Sequence, residues 1–462
     1  MTILVVVLAL LATACTRSSG ETETGAAETT AASGEGTDGG GGGSGDFGDL
    51  TEVCGPGDAS GATAQGVTDD SIQVGTISDP GFVGRQGLNQ ELFDASEVFV
   101  EWCNEAGGIN GREIVDVQRD AKLTEYKQRI TEACQEDFML VGGGGVFDDT
   151  GQDERLGCLL PEIPAYQVSA EARESELAVR PLPTALDELP IGAMQYLQEE
   201  FPDSTDAVGF ITGNVASTIT VDAQLQEAAD ELGWEKAYEA QYNSVGEASW
   251  TPFAQAMQSA GVKGLVYTGE PENLAKLLQA VADIGYDLEW TLTGGNALDQ
   301  RYIEVGGAAV DGTYVYSAVV PPFLAEENPA TQQYLDLFDE YLPDGKAEAL
   351  LGFNSFSSWL LFATAVKECG SEVTRSCVFD AASGITEWTG GGLHAPSNPS
   401  EAETPRCGLV VEATADGFVV PEGFEATDGV FRCDEESVLA LDGDYGEGAT
   451  LDSVGKSIDD LE

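Results

Sequence analysis

Strand-like and helix-like segments alternate along most of this chain. The β-branched run at residues 71–77, SIQVGTI, predicts a strand. Apolar residues then recur every three or four positions, which is the stripe of one helix face: Leu88, Leu92, Ala95, Phe99 and Trp102. Gly107 and Gly108 come next and predict the end of that helix. The chain therefore begins its folded part with one strand and one amphipathic helix.

The same unit repeats in two series, and long helices return after them. These segments cover residues 71–167, 189–316, 329–341 and 354–369. Strands that alternate with helices of ten or more residues build parallel sheets with helices on both faces. We therefore predict two α/β lobes, and the proline-rich stretches at residues 180–190 and 319–322 indicate where the chain passes between them.

The loops after the predicted strands are the first places to look for a binding site. In an open α/β sheet, ligands bind outside the carboxyl ends of the strands. This rule selects residues 78–87, 142–150, 166–170, 212–217, 268–272 and 294–298. Two lobes whose loops face each other form a cleft that can close on a ligand.

The N-terminus predicts export. Residues 3–11 are an uninterrupted apolar run, too short for a permanent membrane span, and small residues separate it from Cys15. The sequence LATAC at residues 11–15 resembles a bacterial lipobox, which implies cleavage of a signal peptide, residues 1–14, and lipidation of Cys15. The alternative is an ordinary secretory signal cleaved nearby. Gly, Ser, Thr and Glu dominate the residues after Cys15, so we expect the lipidated Cys15 and a flexible linker at residues 15–65.

The cysteine count agrees with an oxidising compartment. Without Cys15, eight cysteines remain, and no Cys-x-x-Cys motif indicates a metal site. Eight cysteines allow 105 pairings in principle. Proximity along the chain and the order of the elements favour four disulfides: Cys54 with Cys103, Cys134 with Cys158, Cys369 with Cys377, and Cys407 with Cys433.

Charge and histidine content exclude several classes of protein. The chain has 20 Lys and Arg against 81 Asp and Glu, a formal charge of −61, so nucleic acid is not an expected partner. The single histidine, His394, leaves no multi-histidine zinc site, and we expect it at the surface or in a hinge. The acidic excess disfavours a strongly anionic ligand and leaves cationic or neutral polar solutes as the better candidates.

Two segments at the start of the folded part match a known family. Residues 69–75 read DDSIQVG, and residues 104–112 read NEAGGINGR. They resemble the opening of the type I periplasmic binding proteins, specifically the branched-chain amino acid (Leu/Ile/Val) substrate-binding family of ABC transporters. The resemblance implies two Rossmann-like lobes with parallel sheets, a three-crossing hinge and a small-molecule ligand held between the lobes. It also implies delivery to an ABC permease. The lipobox at Cys15 implies an anchor on the outer face of the cytoplasmic membrane.

The resemblance also sets the expected domain boundaries. Lobe 1 would comprise residues 66–184 and 322–389, and lobe 2 residues 185–321 and 390–431. Residues 432–462 would form an acidic C-terminal tail. We expect a monomer without cofactor, metal or catalytic residue.

The family's ligand contacts differ in this chain. In its amino-acid binders, a Ser/Thr-rich segment after the third strand takes the ligand carboxylate, and an acidic residue of lobe 2 takes the ammonium group. Here residues 142–149 read GGGGVFDD, and Asn296 stands near the second position. We therefore expect an amino-acid-like or other polar organic ligand, without naming it.

The candidate ligand-binding residues lie in the selected loops. They are Phe82 with its neighbour Arg85, Gly144, Gly145, Phe147, Tyr166, Ser169, Asn214, Glu270 and Asn296. Phe147 and Tyr166 would form apolar walls, Ser169 and the two asparagines would form hydrogen bonds, and Glu270 would balance a cationic or hydroxylated group. The amides of the glycine run could bind an anionic or carbonyl oxygen.

Each candidate also has a structural alternative. Phe147 and Tyr166 could belong to the core or to lobe packing, Glu270 could cap the following helix, and the glycine run could be a tight turn. For the whole protein, the alternatives are a sensory binding protein that reports its ligand to a receptor, and an exported enzyme. The enzyme is disfavoured because the loops offer no acid/base pair and no nucleophile with a partner.

Overall fold

Two β-sheets form the framework of the protein. The computed structural model describes residues 45–401 and 403–462. The predicted signal peptide, Cys15 and the linker up to residue 44 lie outside the described residues. Each sheet has separate hydrophobic cores on its two faces. The fold is therefore α/β with two lobes, as predicted.

Lobe 1 contains four parallel strands in the order β2-β1-β3-β4. They are β1 (Ser71–Ser78), β2 (Glu113–Asp120), β3 (Leu140–Val141) and β4 (Glu162–Ile163). Because side chains alternate along a strand, Ile72 and Val74 enter one core and Ile77 enters the other.

The helices of lobe 1 pack on this sheet or on one another. They are α1 (Gln90–Glu105), α2 (Tyr126–Glu136), α3 (Gln152–Gly157), α4 (Ala170–Arg173), α10 (Pro329–Tyr341), α11 (Leu350–Cys369) and α12 (Arg375–Ser383). Helix α11 is buried along nearly its whole length, since its apolar residues occupy all sides. Its Trp359 stacks on Phe99 of α1, with ring centroids 5.6 Å apart.

Lobe 2 contains a larger mixed sheet. Its parallel strands are β6 (Val208–Gly213), β7 (Lys236–Tyr242), β8 (Gly264–Thr268), β9 (Trp290–Thr293) and β10 (Thr313–Ser317). Antiparallel strands complete it: β11 (Cys407–Thr414), β12 (Gly417–Val419) and β13 (Arg432–Cys433). The helices are α5 (Gly192–Glu200), α6 (Ala216–Glu231), α7 (Thr251–Ala260), α8 (Pro271–Asp283) and α9 (Gln300–Gly306). A separate pair joins β5 (Glu188–Pro190) to β14 (Val438–Ala440).

Three chain segments cross between the lobes and hydrogen-bond to one another. The Ala395 N–H donates to the Ala318 carbonyl at 2.7 Å, which joins the second and third crossings. The Ala185 N–H donates to the Thr404 hydroxyl at 3.3 Å, which joins the first and third. This is the three-crossing hinge that the sequence resemblance implied.

His394 lies in this hinge and is buried. Its Nδ1 lies 2.8 Å from the Ala395 carbonyl and its Nε2 lies 2.8 Å from the Ser357 hydroxyl. Because a carbonyl only accepts hydrogen bonds, Nδ1 carries the proton and Nε2 accepts from Ser357. The Ser357 hydroxyl in turn accepts from the Trp388 indole N–H. Burial lowers the pKa of His394 to about 4, so the imidazole is neutral at physiological pH.

The four disulfides are the predicted pairs. Cys54–Cys103 ties the segment before β1 to helix α1, and Phe47 of that segment is fully buried, 4.9 Å from the Phe356 ring. The expectation that the flexible linker extends to residue 65 is therefore wrong for residues 45–65. Sequence composition did not show that one phenylalanine and one cysteine secure this segment to lobe 1.

The predicted acidic tail is packed as well. Strand β13 pairs with β11, and β14 pairs with β5. The exact lobe boundaries stay a prediction. Within the described part of the chain, no helix has the length and apolar character that a membrane crossing requires.

Candidate functional site

The glycine run after β3 is a packing requirement of lobe 1. The Gly142 N–H donates to the Ile163 carbonyl at 2.9 Å, and the Gly144 N–H donates to the Ile77 carbonyl at 2.8 Å. A Cβ on Gly144 would collide with the Tyr166 carbonyl, and one on Gly145 would lie 2.5 Å from the Tyr126 ring. The Gly144 amide is thus engaged within the lobe, which favours the structural alternative of a tight turn, and the ligand role of the run stays a prediction.

Two buried aspartates hold the loops at this edge of lobe 1 together. Asp79 accepts hydrogen bonds from the Leu123 N–H at 2.6 Å and the Val146 N–H at 2.9 Å. Asp148 accepts from the N–H groups of Val168 at 2.8 Å and Ser169 at 3.1 Å. Burial raises the pKa of both carboxyls, that of Asp148 to about 7. Sequence reasoning missed both, because an aspartate in a loop carries no signal of what it accepts from.

Ser169 and Tyr166 lie on the loop that Asp148 holds. The Ser169 hydroxyl caps α4 by accepting from the Ala172 N–H at 3.2 Å, and its role in ligand binding stays a prediction. Tyr166 is half-buried, and burial together with the charges of Glu270, Asp148 and Asp79 raises its pKa well above the usual value. Tyr166 is therefore a neutral hydroxyl within electrostatic reach of a lobe 2 carboxylate.

The two phenylalanines lie in neighbouring loops of lobe 1. Phe147 is 36% exposed and follows Val146, the residue after the glycine run. Phe82 is half-buried and packs within its own loop, where a Cβ on Gly84 would meet its ring at 2.5 Å. The role of Phe147 as an apolar wall of a ligand site stays a prediction.

Arg85 of lobe 1 reaches across the cleft to two glutamates of lobe 2. Its Nη2 lies 3.0 Å from Glu272 Oε1, and its Nη1 contacts Glu270 Oε2. Glu270 occupies the N-cap position of α8, yet its side chain makes no cap hydrogen bond, so the capping alternative is wrong. Burial alone would lower the pKa of Arg85, but the charges of Glu270, Glu272 and two further carboxylates together raise it. Burial raises the pKa of Glu270, and Arg85 opposes that rise.

The two candidate asparagines support the lobe 2 loops. Asn296 donates from Nδ2 to the Gly269 carbonyl at 3.2 Å, directly beside Glu270. The Asn214 Oδ1 accepts from the Ser244 N–H at 3.0 Å and joins the loops after β6 and β7. Of the predicted site residues, the structure thus brings together Arg85, Tyr166, Glu270 and Asn296. It adds Glu272, which the sequence reasoning left out because it reads as an ordinary acidic residue in a first helical turn.

The comparisons with known proteins agree with this architecture. A family model described as "Periplasmic binding protein" matches residues 189–417. No curated protein sequence matches the chain.

Solved structures with the same fold are numerous. A fatty acid ABC transporter substrate-binding protein from Thermomonospora curvata has a TM-score of 0.68 at 17% identity, covering 83% of this chain and 97% of its own. A branched-chain amino acid ABC transporter protein from Thermus thermophilus with bound valine has a TM-score of 0.62 at 19% identity, covering 78% and 98%. The leucine-binding protein LivK from Thermotoga maritima has a TM-score of 0.63 at 14% identity, covering 76% and 97%.

The TM-scores of 0.62–0.68 show that these proteins share the fold described above. The periplasmic binding protein model thus matches residues 189–417, and the chain has the fold of the type I periplasmic binding proteins.

Proposed function

We propose that this protein is an extracytoplasmic solute-binding lipoprotein of an ABC importer. It captures a small amino-acid-like, zwitterionic solute between its lobes by hinge closure and delivers it to a membrane permease. It binds this solute as a monomer and performs no chemistry on it.

The bridge from Arg85 to Glu270 and Glu272 is the observation that carries this proposal. It links the two lobes at the carboxyl ends of their strands, where ligands bind in such sheets. The three side chains are 18–40% exposed, and partly exposed ion pairs contribute only about 0–1 kcal/mol. The bridge is therefore weak enough for a ligand to replace it.

A zwitterion matches both ends of the bridge. Its carboxylate can accept from the Arg85 guanidinium, which binds carboxylates through two parallel hydrogen bonds. Its ammonium group can donate to Glu270, and the neutral Tyr166 hydroxyl lies within the same site. Such a ligand contacts both lobes only when they are close together, so it stabilises the closed state by its extra affinity for that state.

The charged groups favour a zwitterion over a long acyl chain. The Thermus thermophilus protein was solved with valine, a zwitterion, whereas the Thermomonospora curvata protein is named for fatty acids. An acyl chain placed here would remove Arg85 and Glu270 from water without replacing their hydrogen bonds, which is unfavourable.

The experiment is a thermal-shift screen of purified protein over amino acids, amides, polyamines, short carboxylates and fatty acids. A solute at about 100 times its Kd should raise the free energy of unfolding by about 2.7 kcal/mol. Glu270→Gln should abolish the shift given by a zwitterion. Glu289→Gln is the matched control. Glu289 is exposed and directly precedes β9, so it lies at the amino ends of the lobe 2 strands, away from the proposed site. Unchanged affinity in Glu270→Gln would reject its role, and a shift with fatty acids alone would reject the ligand class.

Export and anchoring need a separate test. The N-terminal apolar run before Cys15 supports a lipoprotein signal, and four disulfides are typical of oxidising compartments. Cells that express the wild-type protein should incorporate labelled palmitate into it, and Cys15→Ser should release it into the medium. Equal membrane retention of Cys15→Ser would argue against the anchor.

A further inference from the structure

The C-terminal segment, residues 434–462, is attached first to lobe 2. Its strand β14 pairs antiparallel with β5, from Val438 opposite Pro190 to Ala440 opposite Glu188. The pairing is extended by the Leu441 N–H, which donates to the Asp187 carbonyl at 2.7 Å. This first attachment is backbone hydrogen bonding at the start of lobe 2.

A single carboxylate on α6 holds the next residues. Glu227 accepts from the Asp442 N–H at 2.5 Å and the Gly443 N–H at 3.2 Å, and its Oε2 contacts the Tyr445 hydroxyl. These hydrogen bonds lower the pKa of Glu227, and the one from Tyr445 has the largest effect. The carboxylate therefore remains ionised and continues to accept these hydrogen bonds. This second attachment is also on lobe 2, and it depends on one half-buried side chain.

The segment then passes to lobe 1. The Ala449 N–H donates to the Glu171 carbonyl at 3.0 Å, and the Ala449 carbonyl accepts from the Glu176 N–H at 3.0 Å. Leu451 is 4% exposed and packs with Leu156 and Leu177 in a small core of lobe 1. Burial of one leucine side chain contributes about 1.5–3 kcal/mol, so this third attachment is firm.

The connection between the attachments is rich in glycine and short. Residues 443–448 read GDYGEG, and glycine allows the backbone many conformations. From Tyr445 to Ala449 the chain advances four residues, which span about 14 Å when fully extended. If the contacts with Glu227 break, the free connection begins at Leu441 and spans about 28 Å.

The connection runs beside the cleft. A Cβ on Gly446 would lie 2.6 Å from the Ala170 Cβ, and Ala170 is the next residue after the loop that carries Tyr166 and Ser169. Near Ala170, Arg173 of α4 donates to the Gln224 side chain of α6 at 3.3 Å. The two lobes therefore meet where α4 faces α6, and we call this contact the flank. Separation of α4 from α6 would stretch the segment.

We propose that residues 434–462 form a strap that limits how far the lobes open, and that the contacts with Glu227 set this limit. With these contacts intact, the flank can separate only until the four-residue connection is extended. When they break, a wider opening becomes accessible. The strap is a fourth connection between lobes that the hinge already joins by three, and it acts whether or not the proposed ligand is correct.

The test measures the distance between the lobes without any ligand. Fluorophores on unnatural amino acids at Gln128 of α2 and Gln258 of α7, both exposed, report this distance by single-molecule energy transfer. The slack variant carries a (Gly-Ser)₃ insertion between Gly446 and Glu447, which lengthens the strap and leaves all three attachments intact. The control carries the same insertion after Asp416, in the turn between β11 and β12.

The slack variant should populate longer distances that the wild type and the control lack. Glu227→Ala should shift the distribution in the same direction, by up to about 14 Å at the strap. Melting temperatures within a few degrees of wild type would show that each variant is folded. A slack variant whose distance distribution equals that of the wild type, or a control that opens equally, would overturn the proposal.

Discussion

Acidification should destabilise this protein through His394. The residue is 2% exposed, and burial lowers its pKa from 6.5 to about 4. In the unfolded chain the imidazole takes up a proton as the pH falls below 6.5, whereas in the folded protein it stays neutral until about pH 4. Between these pH values the unfolded state binds more protons than the folded state. The contribution of His394 to the free energy of unfolding is therefore lost as the pH falls from 6.5 to about 4. At 1.36 kcal/mol per pKa unit, the loss is about 3 kcal/mol.

The assay is urea denaturation of the wild type and His394→Asn at pH steps from 7.5 to 4. Asparagine retains a donor for the Ala395 carbonyl but does not titrate. Burial raises the pKa of Asp116 to about 6 and that of Asp148 to about 7, so both favour the folded state as the pH falls. They are present in both proteins and cancel in the difference. The stability gap between the two proteins should shrink by about 3 kcal/mol, and a constant gap would refute this reasoning.

Three further changes have defined outcomes. Replacing Cys54 and Cys103 with serine opens a loop of sequence separation 49, which should lower the free energy of unfolding in urea by about 4 kcal/mol. Gly145→Ala places a Cβ 2.5 Å from the Tyr126 ring and should lower the melting temperature by several degrees, while Gly157→Ala, which meets nothing within 4 Å, should not. Because the net charge is −61, added NaCl should raise the melting temperature at neutral pH, and a flat salt dependence would contradict self-repulsion.

The fold was predictable because it depends on periodicity and order along the chain. The stripe from Leu88 to Trp102 lies mostly on helix α1, and the run at residues 71–77 is strand β1. Sequence order also allowed the disulfides to be paired, since each pair joins cysteines that are consecutive along the chain. Packing of isolated residues was not predictable. Phe47 secures a segment whose composition is typical of a linker, and only its tertiary contacts with lobe 1 show this.

The candidate site was predictable in place but not in detail. The rule for strand ends selected loops that contain Arg85, Tyr166 and Glu270, and Arg85 and Glu270 are in direct contact. The same rule also selected Gly144 and Ser169, whose hydrogen bonds serve their own lobe. Sequence position alone does not distinguish these cases, because the partner of Arg85 lies 185 residues away and the partner of the Gly144 amide lies on an adjacent strand.

The Cys54–Cys103 disulfide changes how mechanical force would pass through the molecule. A pull on the chain at residue 45 reaches Cys54 and then passes through the covalent bond directly into α1. The residues between the two cysteines, which include β1 and the Arg85 loop, are bypassed by the load. Tension on the N-terminal side would therefore be borne by the body of lobe 1, and the loop that reaches across the cleft would keep its position while the molecule is pulled.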